Sequence, residues 1–236
     1  MNTSQLHRTQ LSILHSLRYA QAERFSDLMR PTGHTSDTFK FHIQKLIKRG
    51  YVTKQEDGQY VLTAYGKEYA NTIDEPNRIV QKQPKVSVMV IASRGRKNGE
   101  TEYLMQRRAR NPHFGFVTEI HGRASWGESF EATASMQLKR QTGLGADCKV
   151  HSFRRMRDYD QAADELFEDK LFVVMLATEL RGELSNDYTG GTNVWLSLEA
   201  IKEDGHHFAS TISIIESLTE SNFYYADNLK YDKEDY

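Results

Sequence analysis

The sequence is poor in the features that define specialised classes of protein. It contains one cysteine, Cys148, and four prolines among 236 residues. A single cysteine excludes a disulfide framework or a thiolate metal cluster within one chain, and Cys148 is expected to be a small strand residue. No run approaches the roughly 18 apolar residues of a membrane span. The polar start, MNTSQLHRTQ, lacks the apolar core of a signal peptide. These absences predict a cytoplasmic protein.

Charge is nearly balanced overall but unevenly distributed. The chain carries 31 Lys/Arg and 32 Asp/Glu, a formal net charge of −1. Residues 1–80 hold 11 of the basic and 8 of the acidic side chains, a net +3, so the remainder carries −4. A mild basic bias at one end is compatible with nucleic-acid binding but does not establish it.

Two of the four prolines lie close together in the polar stretch DEPNRIVQKQPK, which precedes the strand-like run VSVMVIA. Polar, proline-containing stretches of this kind commonly separate domains. We therefore predict a first domain at 1–75, a linker at 76–85, a second domain at 86–205, and a C-terminal helix with an acidic tail at 206–236.

Hydrophobic periodicity predicts helices over the first 50 residues. Apolar residues recur at helical spacing in 5–20, a shorter helix fits AERFSDLMR, and PTGHT interrupts the pattern. A third helix begins near Thr35 or Ser36, carries apolar residues on one face and ends at Gly50. YVTKQ and QYVLT, joined by Asp57-Gly58, then predict a hairpin, and AYGKEYANTI a closing helix.

Helix, helix-turn-helix, hairpin and helix is the order of a winged helix. The segments FHIQKLIKRGYV, DGQYVLT and YGKEYA resemble the arsenical-repressor-type winged-helix DNA-binding domains. The resemblance implies that the third helix enters the major groove of double-stranded DNA and that the hairpin contacts the backbone. A winged helix used for protein contacts remains the alternative. The candidate DNA-binding residues are Ser36, Thr38, Lys40, Phe41, Gln44, Lys45 and Lys54.

Strand patterns alternate with one helical pattern in the second part. Strands are expected in KVSVMVIASR, TEYLMQRRAR, CKVHSFRRMRDY, KLFVVMLATEL and NVWLSL. A helix is expected from Ser129 to Gln141, and a C-terminal helix in FASTISIIESLTE. Strands linked partly by hairpins and partly by helices predict a mixed α/β sandwich.

HGRASWGESFEATASMQLKRQTGL, residues 121–144, resembles the Nudix signature G-x5-E-x7-R-E-U-x-E-E-x-G-U, in which U is apolar. The family usually hydrolyses nucleoside diphosphates linked to another moiety. The resemblance covers about 86–205 and implies an α/β/α sandwich with a mixed sheet. Without a gap, the sequence matches the signature at Gly122, Glu128, Leu138, Gly143 and Leu144.

The catalytic positions of the signature are degenerate. Met136 occupies the Arg position, and Gln137, Arg140 and Gln141 occupy the Glu positions. Three carboxylates at that spacing share one helix face and hold Mg²⁺, which prefers hard oxygen ligands. Two amides and a guanidinium remove the electrostatic basis of that site, so no catalytic residue and no metal site are expected there. Glu128 and Glu131 are then expected only to favour the helix start.

Acidic residues elsewhere leave a relocated metal site open as an alternative. Glu119 precedes the box, and a cluster of carboxylates follows later in the chain. Mg²⁺ is expected only if such a site restores hydrolysis. The clustered carboxylates are Asp158, Asp160, Asp164 and Glu165.

A binding pocket can persist after its catalytic groups are lost. Arginines near the box suit phosphate recognition through their fork of donors, and aromatic rings could stack on a base. The candidate ligand-binding residues are Arg107, Arg110, Phe116, Arg123, Trp126 and Arg140.

Two functions follow from the two resemblances. The first is a homodimeric, DNA-binding transcription regulator, as in Nudix-related regulators, whose second domain senses a phosphorylated or nucleotide-type small molecule. The alternative is a Mg²⁺-dependent Nudix hydrolase of nucleoside diphosphate derivatives with a winged-helix regulatory module. The Gln137, Arg140 and Gln141 face favours the first.

Overall fold

The buried apolar residues form separate clusters before and after Lys82 in the sequence. The computed structural model describes residues 6–73, 80, 82–111 and 113–231. It divides into unit 1, Met1–Lys82, and unit 2, Gln83–Tyr236. The division falls within the predicted 76–85 linker, of which residues 76–79 and 81 lie outside the described residues.

No helix in the described part of the chain has the length and apolar character needed to cross a membrane.

Unit 1 contains four α-helices and a hairpin among its described residues. The first helix begins later than predicted because His7 caps it: the His7 imidazole accepts from the Thr9 amide, and the Gln10 side chain accepts from the His7 amide. Such a reciprocal cap satisfies donors that a helix start leaves unpaired. The elements are α1 Arg8–Arg18, α2 Phe25–Met29, α3 Ser36–Lys48, β1 Val52–Lys54, β2 Tyr60–Leu62 and α4 Ala64–Ala70.

The apolar face of α3 forms the centre of the unit 1 core. Phe39, Ile43 and Leu46 are at most 1% exposed and pack with the apolar residues of α1. After α3, β1 and β2 pair antiparallel with Lys54 opposite Tyr60. The predicted order of helices and hairpin is therefore present, and the polar face of α3 is left at the surface.

Unit 2 is built on a mixed sheet of nine strands with the order β11-β7-β8-β3-β4-β10-β9, in which β5 pairs with β4 and β6 with β3. The β3–β8 and β11–β7 pairs are parallel, and the remaining pairs are antiparallel. The elements are β3 Lys85–Gly95, β4 Thr101–Arg108, β5 Val117–Thr118, β6 Ile120–Arg123, α5 Phe130–Thr142, β7 Gly145–Asp160, β8 Leu166–Arg181, β9 Asp187–Tyr188, β10 Gly191–Ser197, α6 Leu198–Asp204, α7 Ala209–Glu216 and β11 Tyr224–Tyr231.

Strand β3 is buried on both faces, which explains its nearly continuous apolar run. Val88 and Val90 pack in one core cluster with Ala134 and Leu138 of α5. Met89 and Ile91 alternate with them, and pack on the opposite face of the sheet with Ile214 of α7. The sheet therefore lies between α5 and α7, which is the sandwich that the sequence predicted.

The C-terminal region differs from its prediction as a helix followed by an acidic tail. The helix is present as α7, but Tyr224–Tyr231 forms β11, which pairs in parallel with β7 from Tyr224↔Phe153 to Tyr231↔Asp160. Its side chains alternate between exposed and half-buried positions, with Asn228 and Lys230 exposed and Leu229 and Tyr231 half-buried, as expected for an edge strand. Residues 232–236 of the predicted tail lie outside the described residues.

Candidate ligand-binding site

The helix of the degenerate Nudix signature is α5, and its local chemistry fixes both ends. Ser129 caps it by accepting a hydrogen bond from the Ala132 amide at 3.1 Å. Gly143 ends it with a left-handed φ of +77°, a conformation that glycine adopts without strain. Between these ends Gln137 and Gln141 are buried, at 5% and 3% exposure, whereas Arg140 is exposed.

The three side chains that stand at the carboxylate positions of the signature hydrogen-bond to each other and to β6. Gln141 Nε2 donates to the His121 carbonyl at 3.0 Å and to Gln137 Oε1 at 3.1 Å. Arg140 Nη2 donates to the same Gln137 oxygen at 2.6 Å. A Cβ on Gly122 would lie 2.3 Å from the Gln137 side chain, so the amide fills the space beside the glycine. This face supplies no carboxylate oxygen and carries a guanidinium, so it does not fit Mg²⁺.

The relocated metal site that the sequence left open is not assembled either. In the described ranges, no group of three or more His, Cys, Asp or Glu side chains is placed to hold a metal ion. Asp158 is ion-paired with Lys170, and Asp164 with Lys230 at 2.8 Å. The Asp160 carboxylate accepts from the Ala162 amide. The predicted carboxylate cluster is thus divided among separate pairs and turns, and Mg²⁺-dependent hydrolysis gains no support from it.

A cavity of about 320 Å³ opens on the α7 side of the sheet, and no residue of α5 lines it. Its walls come from strands β3, β4, β5, β6, β7, β8 and β11, from the segment that follows β4, and from Phe208 and Ser210 at the start of α7. Ligand pockets typically measure about 300–1,000 Å³, so the cavity is at the small end of that range. Five cationic side chains and two carboxylates line it: Lys85, Arg108, Arg110, Arg123, Lys170, Glu119 and Glu168.

The cations of the cavity differ in how they are neutralised. Lys85 is ion-paired with Glu168, and Lys170 with the buried Asp158. Burial raises the pKa of Asp158, and the charge of Lys170 opposes that rise. Arg110 and Arg123 are exposed at the rim, and neither forms an ion pair with a described residue. Two guanidinium groups are thus available to an anion that enters from solvent.

Apolar and aromatic side chains complete the walls. His113 is buried in a left-handed conformation, with φ +59°, a cost to a non-glycine residue that neighbouring packing must offset. Its ring lies 4.8 Å from that of Phe208 and 5.2 Å from that of Tyr231. Burial raises the pKa of the Tyr231 hydroxyl. The cavity therefore has an aromatic side and a cationic side.

Two of the six predicted ligand-binding residues line this cavity, namely Arg110 and Arg123. Arg107 and Arg140 face other partners: Arg107 is ion-paired with Asp204 and donates to the Gly115 carbonyl, and Arg140 donates to Gln137. These two arginines therefore make their polar contacts outside the cavity.

The two predicted aromatic contacts also lie outside the cavity lining. Phe116 packs against Phe208, with ring centroids 5.1 Å apart, behind the wall. Trp126 is 97% exposed on the loop before α5. Sequence reasoning missed Lys85, Lys170 and His121, which also line the cavity. The alternation of side chains along a strand could have identified the two lysines, because Lys85 shares a sheet face with Met89, and Lys170 with Phe172. His121 is placed on that face by its pairing with Met89.

The seven candidate DNA-binding residues are all exposed on unit 1. They occupy α3 and β1, and α3 directs none of them into the core. Phe41 is 55% exposed, and the Lys45 ammonium lies 4.2 Å from the centre of its ring. These exposed positions are Ser36, Thr38, Lys40, Phe41, Gln44, Lys45 and Lys54.

No family model matches the sequence. No curated protein matches it either. Among solved structures, the MutT protein of Bacillus halodurans superimposes with a TM-score of 0.52 and 16% identity, covering 64% of this chain and 93% of that one. The Nudix domain of Shewanella oneidensis NrtR, solved with ADP-ribose, gives a TM-score of 0.49 and 16% identity over 67% of this chain and 98% of that one. The likeness to the Bacillus protein shows that unit 2 has a Nudix-like fold with a mixed sheet.

Proposed function

We propose that this protein is a DNA-binding transcription regulator whose Nudix-like unit senses a small phosphorylated or nucleotide-type molecule without hydrolysing it. The observation that carries the proposal is the division of unit 2 into an amide-filled box face and a separate cationic cavity. The first removes the ligands that hold Mg²⁺, and the second retains donors suited to phosphate.

Charge in the cavity favours an anionic ligand. Two of the five cations sit in ion pairs inside it, while Arg110 and Arg123 stand at its entrance. Arginine binds phosphate oxygens through two parallel N–H donors, and the apolar side around Phe172 and Phe208 suits the rest of a small ligand. A phosphorylated metabolite meets both requirements.

The ligand part of the proposal is tested by thermal shift with a panel of nucleotides and sugar phosphates, with and without Mg²⁺. A ligand that binds only the folded state raises its stability, so at least one compound should raise the melting temperature without being consumed. Arg123→Ala should abolish that shift. Lys149→Ala removes an exposed cation of the same unit outside the cavity and is the matched control. Mg²⁺-dependent phosphate release by the wild type would instead establish a hydrolase.

The DNA-binding part rests on the exposed face of α3. Lys40 and Lys45 on that face suit phosphate contacts, and Ser36, Thr38 and Gln44 suit contacts to base edges. Because one winged helix reads a short site, we propose that the protein acts as a homodimer on two half-sites.

Mobility-shift assays on fragments of the protein's own promoter region, at low salt, test this part. Each of Lys40→Ala and Lys45→Ala should weaken binding and lower the salt dependence of the affinity by about one released counterion. Glu68→Ala, an exposed change on α4, is the control. Failure of the wild type to retard any of the fragments would argue strongly against a regulator of its own operon.

A further inference from the structure

His121 presents its imidazole ring to the cavity from β6. It pairs directly opposite Met89 of β3, which also lines the cavity, and residues that are opposite each other in paired strands share one face of the sheet. The ring lies nearly perpendicular to that of Phe172, another lining residue, with centroids 6.0 Å apart. The residue as a whole is only partly buried. His121 is therefore a wall of the cavity and not part of the core beneath it.

A backbone carbonyl determines which ring nitrogen of His121 carries the proton. Nδ1 lies 3.1 Å from the Glu119 carbonyl oxygen, which can only accept a hydrogen bond, so Nδ1 donates and Nε2 keeps a lone pair. Burial, and then the charge of Arg108, lower the pKa of His121 to about 4. The ring is therefore neutral at neutral pH, and its Nε2 is a hydrogen-bond acceptor.

This acceptor is accessible from the cavity. Within the described part of the chain Nε2 makes no hydrogen bond, and the buried polar atoms that lack a partner do not include it, so it keeps contact with solvent. The charges that lower its pKa belong to Arg108, Arg110 and Lys170, and all three residues line the cavity. A ligand that enters the cavity thus meets a neutral acceptor among cations.

We propose that His121 is the specificity-determining residue of the cavity, and that its Nε2 accepts a hydrogen bond from a hydroxyl group of a phosphorylated sugar whose phosphate binds at Arg110 and Arg123. His121 and Arg123 are two residues apart in β6, so they share a sheet face with Cα atoms about 7 Å apart. One small ligand can contact both side chains. The proposal rests on the proposed function, because it assigns the chemistry of the same ligand.

A hydroxyl suits these surroundings better than other donors do. The same oxygen can donate to Nε2 and accept from a neighbouring guanidinium, whereas an uncharged N–H group can only donate. An ammonium would be repelled by Arg110 and Arg123. The cavity volume of about 320 Å³ also favours one sugar phosphate, either free or within a mononucleotide, over a dinucleotide.

Two substitutions separate the roles of the two ring nitrogens. In His121→Asn the short side chain places its amide near the position of Nδ1, where it can still donate to the Glu119 carbonyl but offers no acceptor at the position of Nε2. In His121→Gln the longer side chain brings an amide oxygen to the position of Nε2. We expect His121→Asn to lose the contact with the ligand and His121→Gln to retain it.

The test measures dissociation constants by calorimetry on the full chain, for inorganic phosphate, pentyl phosphate, ribose 5-phosphate and AMP. Pentyl phosphate has as many carbons as the sugar phosphate and no hydroxyl. His121→Asn should weaken the tighter of the two sugar-containing probes about fivefold, the effect of one hydrogen bond, and change the other two probes less than about twofold. His121→Gln should bind all probes within about twofold of the wild type. Preference for ribose 5-phosphate or for AMP identifies a free or a nucleotide-borne sugar.

A measurement on the wild type makes the test independent of how well the variants fold. With isotope-labelled histidine, the nuclear magnetic resonance signal of His121 Nε2 should shift when the tighter sugar-containing probe binds and stay in place when pentyl phosphate binds. Equal shifts with both compounds, or no shift with either, would show that Nε2 receives no hydroxyl and would overturn the assignment.

A purely structural role of His121 predicts a different pattern of affinities. In that case His121→Asn would change the affinities for pentyl phosphate and for the sugar-containing probes by the same factor. That result would overturn the assignment of His121 but leave the phosphate sensor intact, because Arg123→Ala would still weaken all four probes. If no phosphate compound binds the wild type, the sensor proposal itself fails, and the assignment of His121 with it.

Discussion

The buried amides of α5 show how individual residues determine whether the box face can hold a metal. Gln141 donates to the His121 carbonyl, an interaction that a carboxylate cannot make. Gln141→Glu would place an acceptor against that carbonyl oxygen and bury a charge, so we expect the free energy of unfolding to fall by about 1–3 kcal/mol.

Urea denaturation with and without Mg²⁺ measures this effect. Met136→Glu adds the same charge at another box position, where the side chain is 42% exposed, and should change stability by less than about 0.5 kcal/mol. If Mg²⁺ stabilised Gln141→Glu, the box face would still be able to hold a metal ion, and if Gln141→Glu were as stable as the wild type without Mg²⁺, the hydrogen bond to His121 would contribute nothing.

Gly122 is required for close packing of β6 against α5. A Cβ at this position would lie 2.3 Å from the Gln137 side chain, whose amide oxygen is held by Arg140 and Gln141. Gly122→Ala should therefore displace Gln137 and lower the free energy of unfolding by about 1–3 kcal/mol. Gly95→Ala, at a site with no atom within 4 Å of the new Cβ, is the control for loss of glycine in a strand. Equal stabilities for the two variants would show that Gln137 moves aside without cost.

The sequence predicted the character of the box face, because register with the signature identified Gln137, Arg140 and Gln141 by position alone. It did not predict the cavity. Lys85, Glu119 and Lys170 are distant in sequence and meet only through the pairing of β3 with β6 and β8. Strand register is a long-range property, so single-sequence reasoning could identify a cationic set of arginines but could not sort Arg123 from Arg107.

At the level of single elements, α3 combines an exposed polar face with a buried histidine. The His42 ring stacks on that of His7, the cap of α1, with centroids 4.5 Å apart. The His34 ring, from the turn before α3, lies 5.8 Å from His42 on a nearly parallel plane, so the three imidazoles form one stack. Burial first, and then the charges of His7, His34 and Lys45, lower the pKa of His42. Protonation of this ring is therefore disfavoured in the folded state.

The folded state is expected to lose stability as the pH falls, because it disfavours protonated His42. An unfolded histidine has a pKa near 6.5, so below about that pH the unfolded chain binds more protons at His42 than the folded chain does. The stabilising contribution of neutral His42 is complete above this pH and is lost as the pH falls through it. His42→Leu should make the free energy of unfolding less dependent on pH between about 7.5 and 5.5, in denaturation followed by circular dichroism. His15→Gln removes a histidine outside the stack and is the control. If it changed the pH dependence of the free energy of unfolding as much as His42→Leu does, His42 would not be the cause of that dependence.

Elements with a strong apolar period were predicted well, and edge elements were not. α3 and β3 have buried faces that impose their period on the sequence, and both lie close to the predicted bounds. β11 has exposed or half-buried residues throughout, because it pairs with one neighbour at the sheet edge. Its polar sequence therefore resembled a tail. The same reason accounts for β9, a two-residue strand at the opposite edge.

At the scale of the whole molecule, each unit has its own hydrophobic core, and both tryptophans, Trp126 and Trp195, belong to unit 2. Tryptophan fluorescence therefore reports on the unit that contains the cavity. A sensor that regulates DNA binding requires a coupling free energy between the two sites, and this coupling is reciprocal. Whatever factor a ligand imposes on DNA affinity, DNA must impose on ligand affinity.

This reciprocity gives a prediction for the intact chain. For a phosphorylated ligand identified by thermal shift, its dissociation constant, followed by tryptophan fluorescence, should change by about 5- to 150-fold when a saturating operator fragment is added. The same factor should appear when operator affinity is measured with and without the ligand. Arg123→Ala should leave the operator affinity of the ligand-free protein unchanged and abolish its response to ligand. Lys40→Ala should weaken operator binding and leave ligand binding in the absence of DNA unchanged. A ligand that binds with the same affinity with and without DNA would separate the two functions and leave unit 2 as a binding module without a regulatory role.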